Sequence, residues 1–214
     1  MTDPDWPVRS PPFEPTTADG RVAGVVLAAG TSSRYGARNK LLARVDGERI
    51  VTQSVRAFCD AAVDPVVVVV GHEHERVREA LPAGVRVVHN SAYADGQASS
   101  VRAGIDAVAD AGADAAVIGL GDTPFVRPET VTLLVRAFRT GVGDPLVAAV
   151  DGDRGNPVCF GSGWFDDLRS VEGDIGGREI LRTASTTALV ETGDPGVRRD
   201  IDRPADHDAP DRGK

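Results

Sequence analysis

Lysine is nearly absent from this chain. Its 214 residues hold two, Lys40 and Lys214, against 22 arginines. Cysteine is as scarce. Cys59 and Cys159 make neither a disulfide framework nor a metal cluster, and both are expected to be reduced core thiols of a cytoplasmic protein. Long hydrophobic runs are missing too. None is longer than Val66 to Val70, which falls far short of the ~20 residues that a membrane helix needs. No charged, apolar and small-residue leader opens the chain, which adds to the expectation of a cytoplasmic location. Positive charge is in deficit: 24 bases against 32 acids give a net charge of −8. A binder of nucleic-acid backbones needs an electropositive face, so neither nucleic acid nor membrane is an expected partner.

What is there reads as one α/β domain. Residues 1–20 carry Pro4, Pro7, Pro11, Pro12 and Pro15 without apolar periodicity and are expected to form a flexible tail. Residues 204–214 read the same way, which leaves a single domain over residues 21–203. Short apolar runs predict strands at Val22–Leu27, Pro65–Val70, Val85–Val88, Ala115–Leu120 and Leu146–Val150. Amphipathic spacing predicts helices at Arg49–Ala61, Glu73–Leu81, Gln97–Ala109 and Pro128–Phe138. This alternation predicts βαβ units in a mainly parallel sheet with helices on both faces, a three-layer, Rossmann-like architecture. Ligands of such sheets sit beyond the carboxyl ends of the strands. Three polar segments follow strand ends directly: Ala28–Lys40, Asn90–Gly96 and Gly121–Pro124. They are expected to meet at one rim.

The first segment is built for an anion. Small residues at Ala28, Ala29 and Gly30 allow close approach of backbone N–H groups, and Thr31, Ser32 and Ser33 add hydroxyls. Arg34, Arg38 and Lys40 add positive charge in an otherwise acidic chain. It is neither a Walker loop nor a G-x-G-x-x-G dinucleotide loop. The second segment enters a helix through Gly96, with Ser99 and Ser100 in its first turn. The third carries Asp122 at a strand end, where a carboxylate suits Mg²⁺, which takes only one or two protein carboxylates. His72 and His74, flanked by Glu73 and Glu75, read as a solvated polar turn rather than a metal site.

The pattern L-A-A-G-x-S-x-R-x-G-x-x-K-L-L over Leu27–Leu42 resembles the signature of the nucleotidyltransferases that activate sugars, terpenoid precursors and molybdopterin. It looks most like the MobA-like branch that includes molybdenum-cofactor cytidylyltransferases. The resemblance implies a nucleotide-diphospho-sugar transferase-like fold. It also implies a Mg²⁺-dependent enzyme that transfers a nucleotidyl group and releases pyrophosphate. CTP is the favoured donor and a molybdopterin-type phosphate the favoured acceptor, with a molybdoenzyme or its maturation chaperone as a further partner. A guanylyltransferase, a transferase for another small phosphate and a non-catalytic nucleotide-binding factor are the alternatives.

Carried onto this sequence, Lys40, Arg34 and Asp122 take the catalytic places. Leu27, Ala28, Ala29, Gly30, Ser32, Ser33 and Gly36 would hold the nucleotide, together with Asn90, Gly96 and Ser100. Asp122 and Asp202 would hold the metal, with Asp200 the alternative to Asp202. The segments Arg154–Phe160 and Gly173–Leu181 resemble the acceptor side of the cytidylyltransferases, which implies Asn156, Asp174, Gly176 and Arg178 as acceptor contacts. Asn156 stands where that branch usually has His.

The acids are skewed, 23 Asp to 9 Glu. Short carboxylates with almost no lysine suit a salt-filled cytoplasm that screens self-repulsion, while high-GC coding also favours Arg over Lys. Adaptation to salt predicts a Tm that rises from low salt to molar KCl; a Tm that stays level assigns the bias to coding.

Overall fold

The computed structural model describes residues 4–14, 20–32, 35, 38–173 and 177–202. Among the described residues ten strands and six α-helices follow one another. They are β1 (Val8–Arg9), β2 (Val22–Ala28), β3 (Arg44–Val45), β4 (Glu48–Arg49), α1 (Ile50–Cys59), β5 (Val66–Val70), α2 (His74–Arg78), β6 (Arg86–His89) and α3 (Gln97–Asp110). Then come β7 (Ala115–Leu120), α4 (Pro128–Arg139), β8 (Leu146–Val150), β9 (Asp153–Gly161), α5 (Phe165–Ser170), α6 (Arg178–Thr183) and β10 (Ala188–Glu191). Eight strands form one sheet in the order β1-β10-β8-β9-β7-β2-β5-β6, and β3 and β4 pair as a small hairpin. Every neighbour in the large sheet is parallel except β9, which runs antiparallel between β7 and β8.

The period of two along each strand divides the core. Val22, Val26, Val66, Val68 and Val117 meet α1 and α4 through Val51, Val55, Val131 and Leu134. Val25, Leu27, Val67 and Val69 meet α3, α5 and α6 through Val101, Ile105, Leu168 and Ile180. A sheet apolar on both faces must be covered on both, and the result is the expected three-layer α/β/α arrangement.

Three features depart from the sequence reading. The first is β9, which was expected as a glycine-containing acceptor segment and is a nine-residue strand in the middle of the sheet. Pro157 lacks the N–H that a central strand needs, and the register shifts between Val147 and Ala149 to accommodate it. The second is the N-terminal segment. The expected tail does not describe residues 4–14: Val8 and Arg9 pair with Leu189 and Val190, the Leu189 N–H donates to Pro7 O at 2.9 Å, and Trp6 is buried in the α3-side core. The indole supplies the apolar area that the prolines lack. The third is Cys59, expected in the core and found exposed at the end of α1, where burial of its sulfur and the neighbouring Asp60 still push the thiol up. Cys159 is buried.

Replacing Trp6 by Ala removes this anchor, and the expected loss is about 3 kcal/mol, the lower end of the range for buried Trp truncations. Urea denaturation checks it; an unchanged midpoint shows that the segment adds nothing to the fold.

Candidate active site

The three strand-end segments converge as expected, and the chain's C-terminal stretch joins them. Around them lies a cavity of about 590 Å³, lined by Leu27, Ala29, Gly30, Thr31, Ser32, Gly96, Ser100, Asp122 and Asp202, with Lys40 in its wall.

Lys40 is placed by local chemistry. Ser32 adopts a left-handed backbone, φ 55°, and turns the chain away from the strand. Its hydroxyl donates to Asn39 Oδ1 at 3.3 Å and accepts from the Lys40 N–H at 3.1 Å. Asn39 Oδ1 also accepts from the Leu41 N–H at 3.1 Å and so caps the short turn Lys40–Leu42. Leu41 is buried in the α1-side core. The two ends of the loop are thereby fastened together. Ser33, Arg34 and Gly36 lie outside the described residues.

The Lys40 ammonium stands between two carboxylates, 2.5 Å from Asp122 Oδ2 and 2.9 Å from Asp202 Oδ1. The lysine and Asp122 side chains are only 14% and 17% exposed. Burial is the largest influence on Lys40 and pulls its pKa down, yet the charges and hydrogen bonds of Asp122 and Asp202 outweigh it, and the ammonium is held above the usual lysine range. Two carboxylates reaching one point also make the hard-oxygen donor pair that Mg²⁺ accepts. No third His, Cys, Asp or Glu joins them in a metal-binding group among the described residues. Asp200, the alternative ligand, lines a different and smaller cavity.

Asp202 is brought there by its neighbours. The Ile201 N–H donates to Asp122 O at 3.0 Å, and its side chain is fully buried with Val45 and Ile50. Upstream, the buried Asp194 accepts from the Arg127 N–H at 2.9 Å, from Thr130 Oγ1 at 2.6 Å and from the Gly196 N–H at 2.9 Å. It thus ties this stretch to the start of α4. Neither Ile201 nor Asp194 was singled out from the sequence. The only trace of the latter is Asp194-Pro195-Gly196, a turn-forming tripeptide.

Two nucleotide-side expectations change in detail. Ala28 is buried and Asn90 does not line the cavity. Asn90 instead fastens the second loop: its Nδ2 donates to Ser99 Oγ at 2.8 Å and Ser100 Oγ at 3.0 Å, and its Oδ1 accepts from the Ala92 N–H. These three partners use both donors of the amide and leave only one lone pair of Oδ1 for a ligand. Gly96, Gln97 and Ser100 do face the cavity. His74 and His89 stack with ring centroids 4.1 Å apart.

A second cavity of about 520 Å³ shares Leu27, Gln97 and Leu120 with the first. Val101, Ile118, Val147, Phe160, Leu168 and Leu181 line it with apolar surface, while Arg154, Asn156 and Arg178 add polar groups. Asn156 and Arg178 therefore lie together, apart from Lys40, in the adjoining space. Asp174 and Gly176 lie outside the described residues. Arg154 and Gln97 were not selected as site residues, although Arg154 opens the segment marked for the acceptor and Gln97 follows Gly96 at the start of α3.

The stability of this site rests on Ile201. Ile201→Ala is expected to cost about 2–5 kcal/mol in chemical denaturation, as large-to-small changes at fully buried sites do. A loss below that range shows that the segment carrying Asp202 is held by its polar contacts alone.

A family model described as the MobA-like NTP transferase domain matches residues 24–189. The purine catabolism protein PucB of Bacillus subtilis (strain 168) is 32% identical over 195 residues, which cover 86% of this chain and 93% of PucB. The nicotine blue oxidoreductase of Paenarthrobacter nicotinovorans is 29% identical over 189 residues, 85% of this chain and 92% of its own. The solved structure of a homologue of Mycobacterium tuberculosis Rv0371c from Mycobacterium sp. strain JC1 aligns with a TM-score of 0.77 at 25% identity, covering 87% of this chain and 93% of that one. The matched region runs from β2 to β10 and contains Lys40 and Asp122, the two residues whose pairing defines the first cavity. This chain belongs to the MobA-like NTP transferase family of nucleotidyltransferases.

Proposed function

We propose that the protein transfers a nucleotidyl group, CMP from CTP, to a phosphorylated acceptor of the molybdopterin type and releases pyrophosphate. The observation that carries the reading is the largely enclosed Lys40 ammonium, paired with Asp122 at the wall of a strand-end cavity, with a second, largely apolar cavity opening beside it. The first cavity suits a triphosphate and the second an acceptor with a ring-like body and an anionic group. Gly96, Gln97 and Ser100 line the same cavity, which supports their contacting the base.

In this reaction an acceptor phosphate oxygen bonds to the α-phosphorus, and the bridging bond from the α-phosphorus to pyrophosphate breaks. The acceptor phosphate is already an anion at neutral pH, its second pKa being about 6, so no general base is needed. Catalysis is then positioning and charge stabilisation. Lys40 supplies a fixed positive charge in a partly desolvated place, where it acts more strongly than in water. Loop amides at Ala29–Ser32 add donors for phosphate oxygens. Asp122 and Asp202 would hold Mg²⁺, which supplies neutralising charge to the phosphates when bound. Arg154, Asn156 and Arg178 orient the acceptor.

The test is pyrophosphate release, crossing four NTPs with molybdopterin and a panel of phosphorylated acceptors. CTP with molybdopterin is expected to turn over fastest. Release with GTP instead assigns the base differently. Oxidation or reduction of nicotine blue without pyrophosphate release overturns the transfer reading in favour of the chemistry named for the Paenarthrobacter relative. In Lys40→Ala, kcat is expected to fall by roughly 10²–10³, the loss seen on removing one preorganised donor. Wild-type turnover in that variant removes Lys40 from the mechanism.

A further inference from the structure

The first cavity has two ends. Lys40, Asp122 and Asp202 mark one, and Gly96, Gln97 and Ser100 mark the other. Two aromatic side chains line the space among the described residues, Tyr35 and Tyr93. Tyr35 packs with Val45, Ile50 and Ile201, beside the stretch that brings in Asp202. Tyr93 opens the short turn Tyr93–Asp95, just ahead of Gly96, and so belongs to the other end.

Tyr93 is held from behind. A Cβ on Gly71 would stand 2.6 Å from Tyr93 Cβ, 2.8 Å from its Cγ and 2.9 Å from Ala29 Cβ. The root of the ring therefore rests on bare backbone just past the end of β5, beside the first residues of the phosphate loop. Any side chain at position 71 would displace it. The His72 ring meets it with centroids 6.1 Å apart and planes tilted by 53°, within the range of edge-to-face pairs. The Asp95 N–H closes the turn by donating to Ala92 O at 3.0 Å, and Asn90 Oδ1 holds the Ala92 N–H. The ring is half-buried against the α3-side core, yet its hydroxyl makes no hydrogen bond to any described residue. Carbon surface alone fixes its place, and a ring is what it offers to the cavity.

We propose that Tyr93 is the surface on which the nucleobase of the NTP stacks. The inference rests on the reading of the first cavity as the nucleotide's, and it divides recognition of the base in two. Every base has a π face, so a stacking ring holds all four by the same means. Choice among bases is left to groups that meet the base edge, for which Gly96, Gln97 and Ser100 line the same end. Because Gly71 touches both Ala29 and Tyr93, one residue's backbone sets the spacing between phosphate loop and ring, and a single nucleotide can engage both. A ring fixed before the ligand arrives also loses little rotamer freedom on binding.

The test is calorimetric titration of the full-length protein with each of the four NTPs and with inorganic triphosphate, in Mg²⁺ and without acceptor. In Tyr93→Ala the Kd of every NTP is expected to rise by roughly 5- to 100-fold, the loss on removing one stacked ring, with a comparable factor for each base. That of triphosphate is expected to stay unchanged. Tyr93→Leu keeps the apolar packing and is expected to show the same pattern with a smaller loss, so it carries the test if the Ala variant does not fold. Tyr93→Phe is expected to bind as the wild type does. Circular dichroism and a cooperative melt verify folding. In NMR spectra the base protons of the bound NTP are expected to move upfield through the ring current, and to lose that shift in Tyr93→Leu. A loss shared by triphosphate assigns Tyr93 to the shape of the phosphate loop and overturns the proposal. So does a loss confined to one base or repeated in Tyr93→Phe, which marks a contact through the hydroxyl, and so do unchanged NTP affinities. A wild type that binds no NTP overturns it together with the nucleotide reading. NTP binding with the expected losses but no pyrophosphate release removes the transfer reaction alone and upholds the stacking assignment.

Discussion

An ammonium drawn partly out of water must be paired, and Lys40 is paired twice. Taking a charge out of water costs several kcal/mol unless close partners replace the lost solvation. Asp122 and Asp202 provide that replacement, and each comes from a different part of the chain. The pairing therefore forces three segments into one place: the loop after β2, the loop after β7 and the stretch after β10. Ser32 and Asn39 hold the first, the Ile201 N–H holds the third against the second, and Asp194 anchors the third to α4. If any of these holds slips, a carboxylate loses its partner while still half-buried. The site and the closure of the fold around it are one energetic problem.

The sheet decides what else can reach that place. In a parallel sheet all strands end at the same rim, which is why the loops after β2, β6 and β7 face one cavity. β9 breaks the rule and makes the acceptor side by doing so. Because it runs antiparallel between β7 and β8, its beginning, not its end, lies at the rim. Arg154, Gly155 and Asn156 are the residues at that beginning. An antiparallel strand in the middle of the sheet thus delivers polar groups to the second cavity from a direction that no βα loop could supply. The bulge opposite Val147–Ala149 is the accommodation that lets Pro157 sit in it.

Much of this was legible in the sequence. β7 and β8 have the expected bounds, α3 and α4 differ by one residue at their C-terminal ends, and the pairing of Lys40 with Asp122 joins two positions marked separately, one by the loop signature and one as a strand-end carboxylate. These features are local: periodicity, a proline at a first helical turn, small residues after an apolar run. What stayed hidden depends on distant partners. β9 carries Gly155 and Pro157, which argue locally against a central strand, and only the two flanking strands make it one. Asn90 has the residue type of a ligand contact, but both its donors are consumed by Ser99 and Ser100 and its oxygen accepts from Ala92, which no spacing rule reports. Trp6 stands among prolines in a segment without period, and its burial follows from the edge that β10 offers to β1. Ile201 looks like one apolar residue in an acidic stretch until its backbone is seen to bond to Asp122.

The division of labour between the two cations follows from their shapes. Twenty-two arginines supply nearly all the positive charge of the chain, yet the position between Asp122 and Asp202 is a lysine. Two carboxylates approaching from separate segments do not present a common plane, and a planar fork cannot serve both. A compact ammonium with three donors around one nitrogen can. Where the requirement is instead a fixed plane, as at Arg154 over Trp6 and Arg199 over Phe125, the chain uses guanidinium. The scarcity of lysine and its placement are thus set by different causes. Composition sets the scarcity across the surface, while the geometry of two converging carboxylates selects the ammonium at position 40.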